Sequence, residues 1–186
     1  MVVLKLQRSV PFTLLPPHFV DVKRDFGLHV CGYLLKNSNL VVLRRFEGFS
    51  PAGISVVRKC DVNDLFIDEK WTQMIRDEGH AHFAEERFEL PTTSLRDLAD
   101  ALRERGRNIL IDCEGEGSAE YGVHVGRVVA STLDHLAFSS FDNEGRWDLC
   151  QYSIPYASIT RIEIDDPYVD TFSKYIAECP VTSQDA

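Results

Sequence analysis

No stretch of this sequence approaches the ~18 consecutive apolar residues that a membrane-spanning helix requires, so membrane association is not expected. The start, MVVLKLQRSVPF, has only a short apolar stretch and no small-residue cleavage pattern, which predicts no secretory signal. Cysteine is sparse and unpatterned: Cys31, Cys60, Cys113, Cys150 and Cys179 are odd in number and form no CxxC pair. That excludes a zinc ribbon and a disulfide scaffold, and it predicts reduced thiols, most of them small core residues, in a cytoplasmic protein. Positive charge is scarce too. Twenty Lys and Arg stand against 29 Asp and Glu, a net charge of −9, which argues against wholesale wrapping of nucleic acid or of an anionic membrane. The deficit is lopsided: residues 1–80 carry 11 basic and 9 acidic side chains, residues 81–186 carry 9 and 20.

Familiar catalytic signatures are missing as well. There is no GxSxG elbow, and the Gly-rich CEGEGSAEYG is acidic, lacks a following Lys-Ser or Lys-Thr, and would repel phosphate. The segment HAHFAEE places His80 and His82 on one side of an extended chain near Glu85 and Glu86, but without a third ligand at a defined distance it predicts no metal. Asp165-Asp166 and the pair Glu114 and Glu116 read as solvated acid at strand ends. No catalysis and no cofactor are expected.

What is present is a repeat. Phe26-Gly27-Leu28-His29-Val30 matches Tyr121-Gly122-Val123-His124-Val125, and dropping Cys31 then aligns Gly32 with Gly126. NLVVLRRFEG matches DHLAFSSFDN, with Leu43 against Phe138 and Phe46 against Phe141. IDEKWTQMI matches IDDPYVDTF, with Ile67, Asp68 and Trp71 against Ile164, Asp165 and Tyr168. Three matches in one order predict an internal duplication.

The second copy reads most clearly. Leu95, Leu98, Ala99 and Leu102 recur at helical spacing after Ser94 and Asp97 in capping-box positions, and Gly106 stops the run. NILIDCE, YGVHVGRVVAS, HLAFSSF and WDLCQYSI are short β-rich segments. Pro155 marks a one-turn interruption before a last strand from Ile159 to Ile164, and Asp166-Pro167 starts a helix through Ile176. In the first copy, HFVDVKRDFGLHVCGYLL, NLVVLRRF, GISVVRK and DVNDLFID supply strands, EKWTQMIRDEG a closing helix, and VVLKLQRSV an extra strand in front.

The order of helix, four meandering strands, tight turn and fifth strand resembles the SH3-like small barrels, and VHVGRVVASTLDHLAFSSF is similar to the first motif of the Sm-like proteins. The likeness spans about residues 94–177 and, more loosely, 18–78. It implies a mainly β protein of the α+β class: two related SH3/Sm-like small barrels with short flanking helices. The first occupies residues 1–80, with an extra N-terminal strand, residues 81–93 connect, and residues 94–186 form the second. The likeness also raises RNA binding. Two residues that read RNA in Sm-like proteins have no counterpart here, since the turn reads Asp134-His135-Leu136-Ala137 and the last hairpin Ile154-Pro155-Tyr156.

The candidate binding residues are therefore Arg44, Arg45, Arg58 and Lys59, a basic cluster flanked by Phe46 and Phe49 that could engage single-stranded RNA, together with the repeated His29 and His124. The alternative for the cations is pairing with the acidic second barrel. The leading expectation is a non-catalytic interaction or scaffold protein, its acidic half suited to a basic protein partner; RNA binding through the basic face is the alternative.

Overall fold

The computed structural model describes residues 19–27, 29–115 and 121–180. The extra strand expected over VVLKLQRSV lies outside the described residues. The chain is mainly β and divides after Glu89 into two compact units. With this boundary the acid still belongs to the second unit: residues 1–89 hold 12 basic and 12 acidic side chains, residues 90–186 hold 8 and 17.

In the first unit, β1 (Phe19–Arg24), β2 (Val30–Asn37), β3 (Leu40–Glu47), β4 (Ser50–Arg58) and β5 (Val62–Ile67) are antiparallel in the order β5-β1-β2-β3-β4. A single 3-10 turn, Lys59–Asp61, joins the last two strands, and helix α1 (Glu69–Asp77) follows. Both faces of this sheet are covered. Val20, Val22, Val30, Val41, Leu43, Val57 and Leu65 form one apolar cluster, and Phe19, Tyr33, Phe46 and Ile75 form another with Trp71 and Phe83 packed against it. Coverage on both faces explains why the start of β3, LVVL, reads as a continuous apolar run rather than an alternation. Asp68 caps α1 by accepting from the Trp71 amide at 2.9 Å, and the Thr72 hydroxyl accepts from the Phe19 amide at 3.1 Å, so the helix is tied to the start of β1.

The second unit opens with α2 (Leu95–Arg105). Its predicted ends are observed: the Ser94 hydroxyl accepts from the Asp97 amide, Gly106 closes the helix at φ +62°, and Leu95, Leu98, Ala99 and Leu102 are buried. Strands β6 (Ile109–Cys113), β7 (Gly122–Ser131), β8 (His135–Ser140), β9 (Tyr152–Pro155) and β10 (Arg161–Ile164) follow, then α3 (Pro167–Phe172). Their order is β10-β6-β7-β8-β9. Position for position this is the order of the first unit. In each unit the fourth and fifth strands end the order on opposite sides, so each sheet is open where the sequence predicted a closed barrel. The extent of some elements also differs from expectation. The fourth strand of this unit keeps only Tyr152–Pro155, since Trp147 makes a lone bridge to Phe141, and α3 stops at Phe172 before a turn.

The two sheets share finer detail. Gly32 pairs with Val20 and Arg45, Gly126 with Ile109 and Ser140. Two residues beyond each glycine the ladder slips by one residue, between Leu34 and Lys36 in the first sheet and between Val128 and Ala130 in the second. These bulges sit beside backbones too close for any side chain: a Cβ on Gly32 would lie 2.0 Å from the Arg44 carbonyl oxygen, and one on Gly126 would lie 1.9 Å from that of Ser139.

Residues 81–93 are not a simple connector. Ala81–Glu85 form a 3-10 turn whose Phe83 packs edge-on against Phe46, with ring centroids 5.9 Å apart, so this stretch completes the aromatic cluster of the first unit.

Candidate functional site

The basic cluster is already occupied by carboxylates of its own unit. Arg44, 9% exposed, grips Glu86 with two hydrogen bonds, one of them from Nε to Oε2 at 2.6 Å, and its guanidinium lies 5.6 Å over the Phe83 ring. Arg45 donates to Glu47 at 2.6 Å and to the Ala52 carbonyl at 2.8 Å. Arg58 donates to Asp61 at 2.6 Å. These carboxylates are local to the first unit: the β3–β4 hairpin brings Glu47, the 3-10 turn Asp61 and the turn after residue 80 Glu86 within reach. Lys59 opens the 3-10 turn beside Arg58.

The two histidines do not occupy matching stations. Cys31 sits in regular pairing with Asp21, so no residue is skipped there. Counting from the glycines, His124 corresponds to Val30 and His29 to Val123, so the imidazoles are offset by one residue, and His29 precedes β2 whereas His124 lies within β7. His29 pairs with the Asp21 carboxylate at 2.9 Å, whereas His124 leans on the Tyr152 ring at 4.9 Å. His80 and His82 contact Phe83, and the His82 Nδ1 lies 3.2 Å from the Gly79 carbonyl oxygen. Among the described residues no group of three His, Cys, Asp or Glu is placed to hold a metal ion.

The five cysteines form no disulfide. Cys113 and Cys179 are buried, but Cys60 and Cys150 are exposed rather than core. Burial, reinforced by the Asp21 carboxylate, pushes the Cys31 thiol up to about 11.

A cleft of about 450 Å³ in the second unit gathers groups that sequence reading passed over. Its lining includes Arg107, Asn108, Arg127, Trp147, Ser173 and Lys174. Arg107 bridges Asp165 at 2.6 Å and Asp170 at 3.0 Å across the start of α3. Asn108 donates through Nδ2 to Ser173 Oγ at 2.8 Å, and Ser173 in turn donates to the Val169 carbonyl at 2.6 Å. The Trp147 indole donates to the Ala177 carbonyl at 2.9 Å, which holds the aromatic wall against the segment after α3. Behind that wall, Trp147 meets Phe141 edge-to-face with centroids 5.1 Å apart, and Phe141, Phe172 and Tyr168 stack in turn at 5.7 and 5.7 Å.

No protein-family model matches the chain, and no curated protein or solved structure matches it. The site must therefore be judged on its own geometry.

The cleft was illegible because its residues are scattered from 106 to 178 and each is ordinary alone. One signal existed in the repeat. At stations where the first copy has Phe19 and Tyr33, the second has Asn108 and Arg127, a change from aromatic to polar at positions that face a helix. The matching helix cap is Asp166, which accepts from the Tyr168 and Val169 amides, rather than the Asp165 of the sequence alignment. Seven residues past the caps stand Ile75 (68 to 75) and Ser173 (166 to 173).

Proposed function

We propose that the chain is a non-catalytic interaction protein made of two degenerate SH3/Sm-like units that arose by duplication, and that its second unit presents an acidic, apolar-studded surface to a basic protein partner in the cytoplasm. Identical strand order, the matching bulge and the two closely approached glycines support the duplication. Each sheet is then read as an opened version of the small barrel.

One observation carries the partner reading. Among the described residues, the large apolar side chains that remain exposed are Tyr121, Val123, Leu133, Leu149, Tyr152, Tyr168 and Tyr175 in the second unit and Phe49 in the first. A unit with 17 acidic against 8 basic residues that also exposes Leu149 fully and Tyr175 to 85% is built unlike an ordinary solvated face. Tyr is a favoured interface residue, and surrounding acid favours partners rich in Lys and Arg. RNA binding through Arg44, Arg45, Arg58 and Lys59 has less support, since phosphate contacts would have to displace the carboxylates now held by all three arginines.

Comparative capture tests the reading. Wild-type chain and a Leu149→Ser, Tyr175→Ser variant, immobilised at equal density, are offered the same cell extract. Basic proteins retained by the wild type, lost by the variant and bound again by the wild type once purified support the proposal. Identical retained sets overturn it.

A further inference from the structure

The second unit's cleft differs from its counterpart in the first unit in one systematic way. In the first unit Phe19, Tyr33 and Ile75 close the space between sheet and helix as part of a continuous aromatic cluster. In the second unit the corresponding residues are Asn108, Arg127 and Ser173, and the space is a cleft. Replacing three packed apolar groups by polar ones forfeits burial and adds desolvation cost, which a purely structural role does not recover.

The polar groups are left incomplete in a way that specifies chemistry. Ser173 spends its hydroxyl proton on the Val169 carbonyl, so its oxygen must accept from Asn108, and this fixes the Asn108 amide with Nδ2 toward Ser173. Asn108 is 8% exposed, and its Oδ1 is then a sealed acceptor without a donor. Arg127 Nε is a sealed donor without an acceptor. Among the described residues neither the Arg127 guanidinium nor the Lys174 ammonium has a carboxylate partner, whereas Arg107 beside them is held by Asp165 and Asp170. Asp170 and Glu178 also line the cleft, so its charge is mixed. Trp147 and Ile176 provide an apolar side.

We propose that this cleft binds a small organic molecule carrying at least one oxyanion group and at least one hydrogen-bond donor, of the size of an amino acid, a hydroxy acid or a phosphorylated alcohol. The oxyanion meets Arg127 and Lys174, the donor satisfies Asn108 Oδ1, and the carbon skeleton lies on Trp147. A volume of about 450 Å³ is within the range of small-molecule sites. The inference does not depend on the protein partner proposed above.

The test uses the full chain and four probes: inorganic phosphate, L-malate, L-serine and O-phospho-L-serine. Binding is followed by calorimetry and by tryptophan fluorescence, with Trp71→Phe isolating the Trp147 signal. The expected result is saturable binding of at least one organic probe with Kd below about 1 mM, weakened at least tenfold by Arg127→Met. Preference for malate or serine identifies a carboxylate site, and preference for phosphoserine a phosphate site. A triple variant that copies the first unit, Asn108→Phe, Arg127→Tyr and Ser173→Ile, should abolish binding; Asn108→Asp provides a gentler variant, expected to weaken anion binding at least tenfold while the far-UV spectrum is unchanged. No saturable response to any organic probe below about 10 mM, or equal affinity in wild type and Arg127→Met, overturns the proposal.

Discussion

Gly32 and Gly126 stand at the same station in their two sheets, each pressed against the carbonyl oxygen of the residue diagonally across, Arg44 at 2.0 Å and Ser139 at 1.9 Å from where a Cβ would be. A methyl group at either position would meet backbone, which no rotamer change can move aside. Gly32→Ala and Gly126→Ala should each destabilise their unit by about 3 kcal/mol or more. Chemical denaturation measures this; a loss below about 1 kcal/mol at both sites would mean the strands can part and the close approach is incidental.

Arg44 is the most buried cation of the first unit's basic cluster, with a side-chain exposure of 10%, and its partner Glu86 is exposed to 33%. Arg44→Met should cost about 1–3 kcal/mol, below the usual cost of orphaning a buried ion because Glu86 reaches solvent. Adding Glu86→Gln should recover part of that loss. A double-mutant cycle with no coupling between the two would show that the turn over residues 81–85 is held by Phe83 packing alone.

The Cys31 thiol should resist alkylation near pH 8, where exposed Cys150 reacts, because a thiol pushed up to about 11 is almost wholly protonated there. The linked effect on stability has a definite sign. The folded state holds this proton more tightly than the unfolded state, so the contribution is fully present below pH 9 and is lost as pH rises through about 11. Cys31→Ala should flatten the stability profile in that window. Mass-spectrometric labelling that finds Cys31 modified as fast as Cys150 would contradict the assignment.

Two helix caps invite comparison. Ser94 accepts one amide, Asp166 accepts two and is 7% exposed. Ser94→Ala should cost about 1 kcal/mol and Asp166→Ala up to about 2 kcal/mol. Asp165→Ala should instead act mainly through Arg107 and through the residue's φ of +54°, a conformation Asp tolerates better than Ala. If Asp165 proves the costlier of the two carboxylates, Asp166 is not the residue that caps α3.

Single-stranded RNA offered at low salt should show no affinity that depends on Arg44 and Arg45. A binding curve that weakens with rising salt and disappears on charge reversal at those two arginines would restore the RNA reading over the protein partner.

How far the sequence could be read depends on where each signal is stored. α2 was legible in full because its cap, its apolar stripe and its terminal Gly106 are all local to residues 94–106. The strands of both units were legible in kind, and the match of Leu43 with Phe138 and Phe46 with Phe141 agrees with the pairing about the glycines. The histidine match was misleading, since sequence similarity can slide by one residue without penalty while a one-residue slip in a sheet exchanges faces.

By itself the sequence determined the local elements, the mainly β character and the doubled pattern, because caps, periodicity and turn residues act over a few positions. Tertiary structure alone decided which carboxylates neutralise Arg44, Arg45 and Arg58, that each sheet stays open, and that Asn108, Arg127 and Ser173 share one cleft. These depend on pairings between residues far apart along the chain, such as Asn108 with Ser173, whose partners are set by sheet register and helix placement rather than by any neighbouring residue.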